Sequence, residues 1–137
     1  GALRKAEIFL NQNFILLNGD TYIPIDYKSL WKHFKQLDKV GLVVVRKQSG
    51  NISVKGILIT KYDKSGKSEN LEFTDAGVQV FKKRVLEFIK PNQVVSLEEE
   101  IFPKLIKEKQ LAAYITKEIF YDIGTYERLK TAEGILK

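Results

Sequence analysis

Two carboxylates in this 137-residue sequence stand where they could do chemistry: Asp20 and Asp122. Asp20 closes the stretch Phe14-Ile-Leu-Leu-Asn-Gly-Asp20, and Asp122 follows Ile119-Phe-Tyr121. Each comes directly after a short apolar segment and is followed by a polar turn. A continuous apolar run ending in turn residues reads as a strand buried on both faces. Open α/β sheets bind ligands just beyond the carboxyl ends of such strands. If both segments run the same way in one sheet, both carboxylates emerge at one edge. Two carboxylates completed by phosphate oxygens and water suit Mg²⁺, a hard cation that takes few protein ligands. Asp20 and Asp122 are therefore paired as a candidate metal site. Taken alone, each aspartate is also explained as part of an ordinary strand-ending turn, because Asn, Gly and Asp are common turn residues.

Other chemistries have little to build on. There is no Cys, which excludes disulfides and thiolate metal sites. The one histidine, His33, lies off the apolar stripe of its segment and has no evident partner, so it reads as a surface residue. The chain is 44% hydrophobic and 29% charged, a globular balance. Its net charge of +6 comes from 23 basic and 17 acidic residues. The basic clusters Lys82-Lys83-Arg84 and Lys104 to Lys109 fall on amphipathic segments, where a solvated helix face is expected and no nucleic-acid partner. A basic surface also suits an anionic small ligand. No apolar run approaches the roughly 18 residues of a membrane span, and no secretory signal opens the chain, so a cytoplasmic protein without a membrane partner is expected. With no Met in the sequence, Gly1 is not an initiator. A processed product, an engineered piece or part of something longer is expected.

The elements that would position the aspartates follow from pattern. A helical face runs over Ala2 to Leu10, and a strand over Asn13 to Leu17. Asp26 caps a helix whose stripe is Tyr27, Leu30, Trp31, Phe34 and Leu37. Val40 to Arg46 is a second apolar strand, followed by a turn at Gln48 to Asn51. Ile52 to Tyr62 reads as one or two strands, Asp63 to Gly66 as a hairpin-type turn, and Asn70 to Phe73 as a short return strand. Asp75-Ala76-Gly77 leads into a strand over Val78 to Phe81, and a short helix places Val85, Leu86 and Ile89 inward. Ser96-Leu-Glu-Glu99 is a capping box before Ile101, Phe102, Leu105 and Ile106, with Pro103 predicting a kink. Strands at Leu111 to Ile115 and Ile119 to Tyr121 precede a last helix capped by Thr125 and carrying Leu129, Ala132 and Leu136. The alternation predicts one α/β domain over 1–137, with the 52–81 region as an antiparallel insertion.

Five pieces in order resemble one family. They are Gly1-Ala-Leu-Arg-Lys-Ala6, Leu17-Asn-Gly-Asp-Thr21, Asp75-Ala-Gly-Val-Gln-Val-Phe81, Ser96-Leu-Glu-Glu-Glu-Ile-Phe-Pro-Lys-Leu105 and Tyr121-Asp-Ile-Gly-Thr125. Together they resemble the sugar-1-phosphate nucleotidyltransferases (nucleotide-sugar pyrophosphorylases), and within them the bacterial guanylyltransferases acting on mannose 1-phosphate or heptose 1-phosphate. The resemblance implies a Rossmann-like mixed, mostly parallel sheet flanked by helices. It also implies that the chain is the C-terminal part of a nucleotidyltransferase domain. Asp20 and Asp122 would hold the catalytic Mg²⁺. A sugar-1-phosphate oxygen would attack the α-phosphorus of a nucleoside triphosphate, GTP in the nearest group, and release pyrophosphate. Gly1, Asn18, Gly19, Asp75 and Gly77 would lie along the nucleotide, sugar phosphate or nucleotide-sugar.

The sequence also departs from that family. The Gly-rich loop that wraps the triphosphate is absent, and Gly1 matches its last glycine. Asp75 stands where the family has Asn, and the Glu-Lys-Pro segment before it is missing. Little or no turnover by this chain alone is expected, and a non-catalytic binding or assembly module of the same fold is the alternative. The Phe14 strand would keep an open apolar edge, so a homo-oligomer, an element swap or an N-terminal helix repacked over that edge is expected.

Overall fold

The structure is a computed structural model and describes residues 2–135. Gly1 and Leu136, both assigned a place above, lie outside the described residues. A short helix α1 (Ala2–Lys5) and a 3₁₀ turn (Glu7–Phe9) lead into strand β1 (Asn13–Leu17). Strand β2 (Thr21–Tyr22), helix α2 (Tyr27–Gln36), strands β3 (Gly41–Lys55), β4 (Leu58–Tyr62) and β5 (Phe73–Lys82) follow. A 3₁₀ segment (Lys83–Phe88), a π-helical turn (Leu97–Ile101) and helix α3 (Phe102–Lys107) cross to strand β6 (Leu111–Thr116). Strand β7 (Tyr121–Asp122) and helix α4 (Tyr126–Ile135) complete the chain.

The α/β class and the mixed sheet agree with the sequence reading, but the balance of strand directions does not. Among the described residues, β3–β6 is the one parallel pairing; β1–β5, β3–β5, β3–β4 and β4–β6 are antiparallel. Antiparallel strands can be joined by tight turns, whereas a parallel pair needs a crossover. Here Gly56 and Ile57 close the β3–β4 hairpin, and the helical segment from Lys83 to Lys107 carries the chain over to β6. β3 is the hub. One side of it pairs with β5; on the other side its first half pairs with β6 and its second half with β4. The turn expected at Gln48 to Asn51 is instead strand, with a register shift between Lys47 and Ile52. Gly50 N–H bonds to Leu71 O, so this stretch stays tied to the chain entering β5.

β1 is an edge strand rather than a central one, and it is not buried on both faces. Within it Phe14 alone is buried, and Leu17 is exposed. The sheet alternation separates two apolar layers. Val43, Val45, Phe73 and Phe81 face Ile101, Phe102 and Leu105. Leu42, Val44, Val78 and Val80 face Leu30 and Phe34 of α2. Phe102 and Leu30 have no exposed surface; each such side chain contributes about 1.5–3 kcal/mol of burial. Asp26 Oδ1 accepts from Lys28 and Ser29 N–H, the expected cap of α2. Ser96 Oγ accepts from Glu99 N–H, but Ser96 N–H donates to Glu100 Oε1, one residue later than in a capping box. The π-helical turn that follows Ser96 bonds Phe102 N–H to Leu97 O. Pro103 is thereby placed at the start of a new helix, where its missing N–H is tolerated.

Candidate active site around two aspartates

The two aspartates meet, by a geometry other than the expected one. Asp20 lies in the turn after β1, where Thr21 N–H reaches back to Asn18 O at 3.4 Å. Asp122 ends β7, which is not a strand of the main sheet. β7 pairs antiparallel with β2 in a separate ribbon, with Thr21 opposite Asp122 and Tyr22 opposite Tyr121. Ile123 N–H donates to Asp20 O at 2.7 Å and locks the two turns together. The carboxylates thus converge through a two-strand ribbon, not as parallel strands ending at one sheet edge.

Gly124 sets how close they come. A methyl group placed on it would stand 3.2 Å from Asp122 Oδ1, 3.3 Å from Asp20 Cβ and 3.6 Å from Asp20 Oδ2. Only a residue without a side chain leaves the space between the two carboxylates open. Asp122 Oδ1 accepts from Gly124 N–H at 2.8 Å, and Asp122 Oδ2 accepts from the Arg128 guanidinium. Asp20 Oδ1 accepts from the Thr21 hydroxyl at 3.3 Å. Both aspartates are solvent-exposed. Among the described residues no group of three or more His, Cys, Asp and Glu side chains is placed to hold a metal. A pair of hard oxygen donors left to be completed by water and phosphate fits Mg²⁺ better than a metal that demands a full protein cage.

The remaining expected residues lie alongside. Gly77 (φ 75°) sits in a bulge of β5, where Val43 faces Gln79 but Val45 faces Asp75. A Cβ there would meet Thr21 Cβ at 2.9 Å, so Gly77 lets β5 touch the ribbon that carries the aspartates. Its carbonyl accepts from Asn18 N–H at 2.9 Å. Asn18 and Gly19 are exposed at the mouth of this turn. Asp75 is held inward: Oδ1 accepts from Gly77 N–H at 2.8 Å, Oδ2 from the Tyr62 hydroxyl at 3.0 Å, and both oxygens from Gln79 Nε2 at 3.3 Å. Burial pushes its carboxyl up to about 6, against the lowering effect of these donors. Burial and the nearby Asp75 and Glu98 charges raise the Tyr62 hydroxyl in turn. Asn51 completes the network through its Oδ1 to Asp75 N–H and its amide to Tyr62 Oη.

Sequence reasoning held Thr21, Gln79 and Gly124 only as members of motifs, without a role, and did not point to Arg128 or Tyr62. Gln79 carried a signal, being the one polar residue of the apolar Val78 to Phe81 run. It is 4% exposed, and its Oε1 has no hydrogen-bond partner among the described residues. Arg128 gave only its place six residues after Asp122. His33, expected at the surface, is half-buried and packs edge-on against Tyr114 at 5.5 Å.

With this geometry in hand, the comparisons with known proteins are decisive on family. A family model described as nucleotidyl transferase matches residues 1–136. The chain belongs to the nucleotidyl transferase family. The chain is 30% identical to the mannose-1-phosphate guanylyltransferase catalytic subunit beta of Drosophila pseudoobscura pseudoobscura, over 90% of its own length and 36% of that protein's. It spans about a third of the length of the curated relatives it matches. Among solved structures, it superposes on HddC from Yersinia pseudotuberculosis with a TM-score of 0.77 at 24% identity, covering 99% of this chain and 61% of that one. The inositol-1-phosphate CTP transferase from T. maritima gives 0.74 at 19% identity, over 94% of this chain and 57% of that one. These two likenesses establish the fold. No helix among the described residues is long and apolar enough to cross a membrane.

Proposed function

We propose that this chain carries the metal and sugar-phosphate side of a sugar-1-phosphate nucleotidyltransferase site, one that uses Mg²⁺ and, with the guanylyltransferase relative as support, GTP. The observation that carries this reading is the convergence of Asp20 and Asp122 on the side-chain-free Gly124. In the reaction an oxygen of the sugar 1-phosphate forms a bond to the α-phosphorus of the triphosphate. The bond from that phosphorus to the β-phosphate oxygen breaks, and pyrophosphate leaves with the electron pair. A Mg²⁺ bound here would offset the phosphate charge that grows on the leaving group. Asp20 and Asp122 would be its ligands. Gly124 N–H and the Ile123–Asp20 bond hold the two carboxylates in position. Gly77 and Asn18 shape the adjoining wall, and Asp75, already engaged by Tyr62, Gln79 and Gly77, fixes the bulge rather than a metal.

Isothermal titration with Mn²⁺ and with GDP-mannose tests the reading. The wild-type chain is expected to bind Mn²⁺, and Asp20→Asn and Asp122→Asn are each expected to weaken that binding at least tenfold. Unchanged Mn²⁺ affinity in both folded variants would refute the metal site. Pyrophosphate release by the 137-residue chain is expected to be negligible, and robust release would overturn that part.

Self-association through β1 belongs to the same proposal. Asn18 N–H bonds to Gly77 O and Lys83 N–H to Gln12 O, so by antiparallel alternation Asn13, Ile15 and Leu17 turn their backbone groups away from β5. The strand carries no charge, and beside it lies an apolar groove of 390 Å³ between Leu3, Leu10, Leu16, Ile89 and Leu97. The N-terminal helix packs near the strand but leaves that groove open. An uncharged open edge pairs readily with a second copy.

A further inference from the structure

We propose that Arg128 is a built-in counter-ion of the aspartate pair, seated on Asp122 until a divalent cation arrives and then transferred to a substrate phosphate. The inference rests on the metal-site reading above. Three of the four carboxylate oxygens are engaged by the chain itself: Asp122 Oδ1 by Gly124 N–H, Asp20 Oδ1 by the Thr21 hydroxyl, and Asp122 Oδ2 by the Arg128 guanidinium. Asp20 Oδ2 is left without a partner among the described residues. Only one of the three engaging groups is a cation. A neutral N–H or hydroxyl need not leave when a metal binds, because carboxylate oxygens have lone pairs to share. A guanidinium on the same carboxylate repels the incoming metal directly, so Arg128 is the group that has to move.

Its position makes the move feasible. The Arg128 and Asp122 side chains are 59% and 49% exposed, and an ion pair that open to water is weakly held. Arg128 also sits in the first turn of α4, where Thr125 Oγ1 accepts its backbone N–H at 3.3 Å. A cation at a helix N-terminus opposes the helix dipole and needs an anion beside it. Asp122 fills that role here. Once Asp122 turns to a metal, a phosphate bound at the same metal is the natural replacement, and the planar guanidinium suits it. No other basic side chain forms an ion pair with either aspartate among the described residues.

The experiment is a Mn²⁺ titration, read by calorimetry and by the loss of the free Mn²⁺ electron paramagnetic resonance signal. It uses the wild-type chain, Arg128→Gln, Arg128→Lys and Asp122→Asn, each checked for folding by circular dichroism, with and without inorganic pyrophosphate. Without pyrophosphate, Arg128→Gln is expected to bind Mn²⁺ about two- to fivefold more tightly than wild type, the reach of one partly exposed charge pair. Arg128→Lys should stay near wild type. With pyrophosphate the order should reverse: wild type gains Mn²⁺ affinity and Arg128→Gln loses most of that gain. An Arg128→Gln affinity equal to or weaker than wild type without pyrophosphate, while Asp122→Asn abolishes binding, overturns the counter-ion role and spares the metal site. Equal binding by Asp122→Asn and wild type overturns both.

Discussion

Asp75→Asn isolates the energetic cost of a carboxylate drawn into the sheet. Asp75 begins from an ordinary carboxyl value of 3.8 and is raised to about 6 by burial. A group whose folded value is raised binds its proton more tightly in the native state than in the unfolded one. Below the unfolded value both states are protonated and the group is silent. As pH rises through the window from 3.8 to about 6, the unfolded chain ionises first, and the native state loses stability relative to it. Above that window the full penalty is present. A displacement of about two pH units corresponds to about 3 kcal/mol, of which about 2 kcal/mol falls between pH 4.5 and pH 7.5. The asparagine variant lacks the ionisation and therefore lacks this slope. Urea unfolding of wild type and Asp75→Asn at those two pH values checks it, because every other titrating group cancels in the difference. The stability of wild type relative to the variant should fall by about 2 kcal/mol from pH 4.5 to pH 7.5. A difference that stays constant within about 0.5 kcal/mol, or that moves the other way, would show that the carboxylate is solvated despite its Tyr62 and Gln79 contacts.

Further expectations follow from single contacts. Gly77→Ala combines a φ of 75° with a Cβ 2.9 Å from Thr21 Cβ, and should cost about 1–3 kcal/mol in urea unfolding while loosening the β2–β7 ribbon, seen as faster amide exchange at Ile123. Leu30→Ala empties a fully buried position under α2 and should cost about 2–5 kcal/mol by thermal or urea unfolding. Ile15→Lys puts a charge on the open strand and should convert an associating chain to a monomer in light scattering, with a lower unfolding midpoint because Ile15 also packs against the layer under α2. Ser96→Ala removes the bond to Glu99 N–H and should cost about 1 kcal/mol.

Much of the fold was legible in the sequence because it depends on local pattern. The α2 stripe, the Asp26 cap and the Leu42 to Val45 run each formed the element their period demands. Of the candidate residues, Asp20 and Asp122 come together beside Gly124, and Asn18 and Gly77 touch through a backbone bond. What the pattern missed was non-local. A run such as Phe14 to Leu17 looks the same at the edge of a sheet as at its centre, since periodicity reports apolar faces and not the number of neighbouring strands. The antiparallel character of the 52–81 region was legible, but outside it strand direction was misjudged: alternation of strands and helices suggested parallel pairing, while β1 and the first half of β3 both pair antiparallel with β5. The two-residue slip that puts Gly77 in a bulge arises between strands far apart in sequence and leaves no spacing signal, and Arg128 offered only its place six residues after Asp122.

The hub strand β3 has a consequence for how the chain is made. Its Val43-Val44-Val45 segment is completed on one side only by β6, which begins at Leu111. At about 5–20 residues per second of synthesis, the stretch between Gly41 and Leu111 takes several seconds to emerge. Throughout that time three consecutive valines offer an unpaired strand edge to any neighbouring nascent chain. Non-local pairing of this kind also slows refolding, toward the millisecond-to-second range of β-rich topologies. Refolding at lower protein concentration should therefore raise the soluble yield, because it removes the neighbouring chains with which this edge could pair.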